Sequence, residues 1–122
     1  MRVAVIDERR ELFPTRFASG LGMVDIIGGM SKEKSIETAL RIFSPEVILC
    51  DEIGNEKEAR ALLQCGTGGC LVIATAHGNE KKDVMIRPSL RLLIEEGLFS
   101  YLAILRRKES EHYATELLWE AI

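Results

Sequence analysis

The sequence predicts an α/β fold, in which a mostly parallel sheet has flanking helices and a carboxyl-terminal hairpin. Short apolar runs alternate with segments of helical spacing, the order expected of strand–helix–strand units. The runs are apolar at nearly every position, as strands of a parallel sheet are when both faces are buried. Polar residues follow each run directly. The three runs are Val3–Ile6, Val47–Cys50 and Cys70–Ala74.

Length and composition predict one domain over residues 1–122. The chain is 47% hydrophobic and 29% charged, so it can build a core. Its net charge of −3 argues against a nucleic-acid partner. Three cysteines are an odd number, which disfavours a disulfide framework. No apolar run reaches the length of about 18 residues that a membrane-spanning helix needs. The first residues become acidic too early for a signal peptide, so the predicted location is cytoplasmic.

The first half of the chain follows the predicted order of strand, loop, helix and strand. After Val3–Ile6, the glycine-rich stretch Leu12–Gly29 predicts a long loop with a short strand near Val24–Ile27. Ser31 is a suitable N-cap, and the next helix is predicted to end before Pro45. Its apolar residues have helical spacing: Ile36, Ala39, Leu40 and Phe43.

Two more helices are predicted in the second half. Asn55 and Glu58 have the spacing of a capping box, and Gly66 is a natural residue after the helix end. A further helix is predicted to begin near Pro88 and stop at Gly97.

The carboxyl-terminal segment predicts a strand and then a charged turn. The strand covers Leu98–Leu105, and the turn covers Arg106–Glu111. His112–Trp119 is compatible with a returning hairpin strand or a short helix, and its pattern does not decide between them.

Polar residues follow three of the predicted strands. They are Asp7–Glu8, Asp51–Glu52 and the segment Thr75–His77. The carboxyl ends of parallel strands share one edge of a sheet, where ligands bind in open α/β folds. The sequence therefore predicts a crevice lined by carboxylates and an imidazole.

The segment Ser44–Gly54 has the form of a Walker B strand. Such a strand brings an aspartate to the hydration shell of Mg²⁺, and a neighbouring carboxylate acts on the attacking water. Asp51 and Glu52 have these positions, although acidic pairs also simply end strands at the surface. Thr75 or His77 could donate to a γ-phosphate, or could be a capping threonine and an ordinary loop histidine.

Other clusters carry less chemistry. The loop Cys65–Cys70 is rich in glycine but lacks the lysine of a phosphate-binding loop and the C-x-x-C pairs of a zinc site. The basic run Arg106–Lys108 is interpreted as a solvated turn, with a weaker alternative as a nucleic-acid contact.

Four segments, taken in order, resemble the stage III sporulation protein AA family, which is similar to the ATPases of type II and type IV secretion systems. The resemblance covers nearly the whole chain. The segments are Val5–Arg9, Ser44–Gly54, Val72–Gly78 and Arg87–Arg91.

The resemblance implies a partial RecA-like P-loop NTPase core, of which this chain is the carboxyl-terminal part. It implies that Asp7–Glu8 is the acidic box, Asp51–Glu52 the Walker B pair and His77 the histidine-box residue that senses nucleotide. Glu8, Glu52 and His77 are the implied catalytic residues, and Thr75 and His77 the implied nucleotide contacts. Asp51 would hold Mg²⁺ through water. Whether Glu8 or Glu52 is the general base stays open.

The chain departs from this family in two places. It has no Gly-x-x-x-x-Gly-Lys-Thr loop, which supplies the lysine and backbone donors for the phosphates. The segment Met23–Ile27 also stands where family members often have Arg-Thr-Asp-Val-Leu, so an arginine is missing. Mg²⁺ and ATP are expected cofactors of a full-length member, and the isolated chain is expected to be inactive. Whether this chain binds either cofactor stays open, as does whether it is part of a longer protein.

The resemblance also implies partners. Full-length members are expected to form hexameric rings and to act with other stage III sporulation proteins on a channel between mother cell and forespore, peripherally at the inner face of the membrane. Without a P-loop strand the sheet should expose apolar surface, which predicts a dimer or swapped oligomer. The alternative function is a non-catalytic assembly subunit that kept the fold and lost nucleotide binding.

Overall fold

The computed structural model describes residues 1–9, 24–107 and 115–122, which form a four-stranded sheet, four α-helices and a separate hairpin. The sheet strands are β1 (Val3–Ile6), β2 (Val24–Ile27), β3 (Val47–Cys50) and β4 (Leu71–Ala74). The helices are α1 (Lys32–Thr38), α2 (Glu56–Thr67), α3 (Lys81–Ile86) and α4 (Pro88–Glu95). The hairpin strands are β5 (Tyr101–Arg107) and β6 (Thr115–Ala121).

The four-stranded sheet is parallel throughout, with the order β2-β1-β3-β4. In its register Val3 lies opposite both Val24 and Val47, and Val47 lies opposite Leu71. The strands therefore end level with one another, and the residues that follow them meet at one edge. This confirms the predicted parallel α/β fold with its carboxyl-terminal hairpin.

The core lies between one face of this sheet and the helices. Because side chains alternate along a strand, Ala4 and Ile6 of β1 share a face with Ile48 and Cys50 of β3, and all four are buried. Helices α1, α2 and α4 cover this face with buried apolar side chains, which include Ile36, Leu62 and Leu93.

Strand β4 is an edge of the sheet and exposes apolar side chains. Leu71 and Ile73 point away from the helix-covered face and are 66% and 56% exposed. Exposed apolar surface was expected for a sheet without a P-loop strand, and these two residues provide it. The oligomer inferred from that surface stays a prediction.

The first helix differs from the sequence prediction in its last turn. Ser31 is the N-cap, and its hydroxyl accepts a hydrogen bond from the amide of Lys34 at 3.4 Å. The predicted helix is α-helical only to Thr38, and Ala39–Phe43 form a π-helical turn. Ser44 ends it in a left-handed conformation with φ of 43°, immediately before Pro45.

Helix α2 begins as predicted and ends later than predicted. Asn55 and Glu58 form the reciprocal hydrogen bonds of a capping box. Gly66 was predicted to follow the helix, but α2 continues to Thr67 and Gly68 is its C-cap. The positive φ typical of glycine occurs instead at Gly69, at 88°.

Helix α3 and the bounds of strand β5 were not predicted correctly. Helix α3 was missed, because it has no buried residue and therefore no apolar stripe. The strand predicted over Leu98–Leu105 runs from Tyr101 to Arg107, so Arg106 and Arg107 belong to a strand and not to a turn.

Residues 115–121 pair antiparallel with β5, which selects the hairpin over the helix for the described part of that segment. The remainder of the predicted charged turn, with His112, lies outside the described residues. So do residues 12–23 of the predicted loop.

The three cysteines are free and buried. Burial raises the pKa of the Cys50 thiol to about 12, opposed by the Lys32 ammonium, and burial also raises the pKa of Cys65 to about 12. An unfolded thiol ionises near pH ~8.5. Between about pH 9 and 12 the unfolded chain therefore holds fewer protons than the folded chain.

The free energy of unfolding should consequently be fully present below about pH 9 and fall as the pH rises towards 12. Urea unfolding at pH 8 and pH 10 measures this fall. The variant Cys65→Ala removes one of the two thiols and should flatten the slope. An equally steep slope in this variant would contradict the assignment.

No helix among the described residues is long and apolar enough to span a membrane.

Candidate functional site

The candidate site lies at the carboxyl edge of the parallel sheet, where β3 and β4 end side by side. Asp51 and Glu52 follow β3, and Thr75 follows β4. The main chain stays paired beyond the strands, because the Thr75 amide donates to the Cys50 carbonyl at 3.1 Å and the Ile53 amide donates to the Thr75 carbonyl at 3.3 Å. These bonds hold the two strand ends together.

The Thr75 hydroxyl joins the two acidic residues. It donates to Oδ1 of Asp51 at 3.0 Å and accepts from the Glu52 amide at 2.9 Å. One hydroxyl therefore fixes both the Asp51 carboxylate and the main chain of Glu52. The sequence predicted that these residues would share an edge, and the structure places them in direct contact.

Glu52 has an unusual main-chain conformation. Its φ of 38° is in the left-handed region, which costs a non-glycine residue about 1–3 kcal/mol. Its side chain is 40% exposed, and Oε1 lies 3.5 Å from Nε2 of His77. His77 itself is 81% exposed. A carboxylate and an exposed imidazole thus lie together at the carboxyl edge of the sheet, accessible to a ligand.

Lys32 is a site residue that the sequence analysis missed. It is the first residue of α1, and its ammonium donates to the carbonyl oxygen of Glu52. Helix α1 follows β2, so its amino end lies at the same edge as the acidic residues. The order of strand and helix therefore places Lys32 near this edge. No spacing in the sequence, however, connects residue 32 with residue 52.

The segment Asp51–Asn55, called the acidic turn below, connects β3 to α2, and the first turn of α2 holds its far side. Oε2 of Glu58 accepts from the Gly54 amide at 2.7 Å and from the Asn55 amide at 3.3 Å. The capping box that the sequence predicted therefore also anchors the turn between Glu52 and the helix.

Asp7 and Glu8 follow β1, whose last residue Ile6 lies opposite Cys50 of β3. Asp7 is fully buried, and its amide donates to the Ile27 carbonyl at 3.0 Å. Glu8 is exposed. Among the described residues, the hydrogen-bonded group of Asp51, Glu52 and Thr75 includes no atom of Glu8, so its implied catalytic role stays a prediction.

The loop after His77 is held at two points. The amides of Asn79 and Glu80 donate to Oδ2 of Asp83 at 2.8 and 3.0 Å, and these bonds lower the pKa of that carboxyl. The Arg106 guanidinium donates to the Asn79 carbonyl at 2.8 and 3.2 Å. Arg106 therefore fastens the hairpin to the loop that carries His77, a contact that its interpretation as a solvated turn residue did not include.

The donors at this edge suit Mg²⁺ better than a transition metal. Asp51 and Thr75 offer hard oxygen atoms, the ligands that Mg²⁺ prefers while it keeps several waters. In the parts of the chain that the structure describes, no three His, Cys, Asp or Glu side chains are grouped closely enough to hold a metal by themselves. A metal here would need a further ligand, such as a phosphate.

Comparison with known proteins identifies relatives across most of the chain. Residues 1–115 match the family model "Sporulation stage III, protein AA". A stage III sporulation protein AA of Bacillus subtilis (strain 168) is 34% identical over 115 residues, which are 88% of this chain and 37% of that protein. The chain thus spans little more than a third of the length of that relative.

Two further matches are shorter. The protein SEEDLING PLASTID DEVELOPMENT 1 of Arabidopsis thaliana is 44% identical over 50 residues, 41% of this chain and 7% of that protein. The uncharacterized protein ycf45 of Porphyra purpurea is also 44% identical over 50 residues, 41% of this chain and 9% of that protein. The family match over residues 1–115 decides the assignment: the chain belongs to the sporulation stage III protein AA family.

Proposed function

We propose that this chain carries the carboxylate and histidine half of an ATP-hydrolysing site. The observation that supports it most is the Thr75 hydroxyl, which contacts both Asp51 and the main chain of Glu52. A strand end that presents two adjacent carboxylates beside a polar residue of the next strand suits a metal-bound phosphate and an attacking water.

Each side chain has a distinct role in this proposal. Asp51, whose carboxylate Thr75 orients, would hold a water of the Mg²⁺ shell. When bound, Mg²⁺ would neutralise charge on the phosphate oxygens. Glu52 orients the attacking water and accepts its proton. His77 lies 3.5 Å from Glu52 and is exposed, so it can donate to the terminal phosphate.

The geometry favours Glu52 over Glu8 as the general base. Glu52 is fixed through its amide and contacts His77, whereas Glu8 is an exposed residue in a turn. A base must be held within hydrogen-bond reach of the water from which it takes a proton. Glu8 retains the supporting role that the family resemblance implies for the acidic box.

The phosphate-binding loop is proposed to come from outside these 122 residues, since the sequence contains no Gly-x-x-x-x-Gly-Lys-Ser/Thr. Strand β4 is the edge of the sheet beside the site, and Leu71 and Ile73 on it are exposed. An edge strand offers free main-chain donors and acceptors to a further strand. A phosphate-binding strand added there would end next to Thr75.

ATP hydrolysis by the native gene product tests this function. Phosphate release should require Mg²⁺ and stop when EDTA is added. The variant Thr75→Val keeps the shape of the side chain but removes the hydroxyl, and should lower the rate by about 10²-fold through misplacement of both carboxylates.

Thr67→Val is the matched control, because the Thr67 hydroxyl bonds within α2, to the Leu63 carbonyl, and lies on a different element from the acidic residues. It should leave the rate unchanged. Hydrolysis that is insensitive to Thr75→Val would contradict the proposed site.

The exposed apolar surface of β4 supports a second candidate, a non-catalytic assembly subunit. Its partners would be further copies of the chain or other stage III sporulation proteins of a membrane-associated channel. In that case Thr75→Val would change nothing, whereas Ile73→Glu would abolish the complex seen by gel filtration. The two candidates therefore differ at Thr75, whose hydroxyl matters only if the chain serves hydrolysis.

A further inference from the structure

Lys32 reaches the acidic turn from a different part of the chain. It begins α1, twenty residues before Glu52, and its partly buried ammonium donates to the Glu52 carbonyl. The charged ammonium of a lysine donates hydrogen bonds and accepts none. Its bond with the carbonyl is therefore charge-assisted and stronger than a bond between neutral groups.

The main chain of Glu52 is held on both sides. Its amide donates to the Thr75 hydroxyl, and its carbonyl accepts from Lys32. Between these two bonds the residue has φ of 38°. A residue with a Cβ atom keeps this conformation only where its surroundings impose it.

The direction of the Glu52 carboxylate follows from that conformation. With the main chain as it is, Oε1 lies 3.5 Å from Nε2 of His77. If the carbonyl were released, Glu52 could relax to a negative φ, and its side chain would leave the position beside His77. Thr75 would still hold the Glu52 amide through its hydroxyl and the Ile53 amide through its carbonyl, but the Glu52 carbonyl itself would have lost its charged partner.

We propose that Lys32 is a positioning residue for Glu52: it fixes the left-handed turn that places the Glu52 carboxylate beside His77. The expected effect of Lys32 on hydrolysis rests on the proposed function. The hold of Lys32 on the main chain of Glu52 does not depend on that function. Lys32 acts through the Glu52 carbonyl and does not touch substrate.

Hydrogen–deuterium exchange of the native gene product tests the hold directly. In Lys32→Met the amides between Asp51 and Gly54 should exchange faster than in the wild type, because the turn is no longer fixed. Lys34→Met is the matched control, since Lys34 is an exposed lysine of the same helix. In this variant the amides between Asp51 and Gly54 should exchange as fast as in the wild type. Unchanged exchange in Lys32→Met would overturn the proposal.

Kinetics separate positioning from a general structural role. Lys32→Met should lower kcat for ATP by about 10- to 100-fold with little change in KM, because substrate binding is not affected. Lys32→Arg keeps a charged donor and should recover part of the rate. In the Glu52→Gln background, Lys32→Met should have no further effect.

An equal loss in both backgrounds would show that Lys32 acts elsewhere and would overturn the proposal. If the wild type hydrolyses no ATP, the proposed function fails, and the exchange of the Asp51–Gly54 amides alone decides whether Lys32 holds the turn. If the wild type is active and Lys32→Met is equally active, the proposed function stands and the positioning role fails.

Discussion

Glu52→Gln is expected to lower ATP hydrolysis by the native gene product by about 10²–10⁴-fold, the contribution of a positioned general base. The amide side chain keeps the size of glutamate but cannot accept a proton from water. ATP binding should persist, because Asp51 and Thr75 are unchanged. A steady-state phosphate-release assay together with a nucleotide-binding assay measures both quantities.

The control is Glu56→Gln, on the first turn of α2. Glu56 is an exposed acid paired with Arg60 at 2.6 Å and is not part of the acidic turn. Its rate should stay close to that of the wild type. If Glu52→Gln were as active as Glu56→Gln, Glu52 would not be the base, and Glu8→Gln would be the next variant to measure.

Leu62→Ala is expected to lower the free energy of unfolding by about 2–5 kcal/mol, the range for truncating a buried leucine. Leu62 is fully buried in α2, between the sheet and the other helices, and the shorter side chain would leave a cavity there. Urea or thermal unfolding measures the loss.

Leu71→Ala is the same substitution at a residue that is 66% exposed. In the isolated 122-residue chain it should change stability by only about 0.5 kcal/mol, as surface substitutions do. Equal losses for the two variants would mean that Leu71 is buried in the protein in solution, and would point to an occupant of the β4 edge.

The meeting of Asp51, Glu52 and Thr75 was predictable because it follows from one rule. Continuous apolar runs predict parallel strands, and parallel strands bring their carboxyl ends to one edge. The start of α2 was equally predictable, since the capping box of Asn55 and Glu58 is a local pattern of three residues' spacing.

The contact between Lys32 and Glu52 could not be predicted from the sequence. It joins residues twenty apart in different elements, and it accompanies a left-handed φ at Glu52, which nothing in a glutamate residue favours. Helix α3 was hidden for another reason. Glu80 and Asp83 form its capping box, but a helix without a buried face has no apolar periodicity to detect.

The hairpin was predictable in outline but not in its bounds. The apolar alternation ended at Leu105, whereas β5 includes Arg106 and Arg107. Arg106 belongs to the strand because its main chain pairs opposite Glu116 of β6, and its guanidinium also binds the Asn79 carbonyl, a tertiary contact that composition does not show. A charged residue can therefore continue a strand when a partner is available for it.

The intact mass of the native gene product, isolated from the source cells, tests the central claim that this chain holds half of a nucleotide site. These 122 residues have a mass of 13.6 kDa. The account predicts a mass well above this value and a preceding sequence that contains a phosphate-binding loop. A mass of 13.6 kDa would contradict it, because the protein would then have no loop to hold the phosphates, and the assembly subunit would be the remaining function.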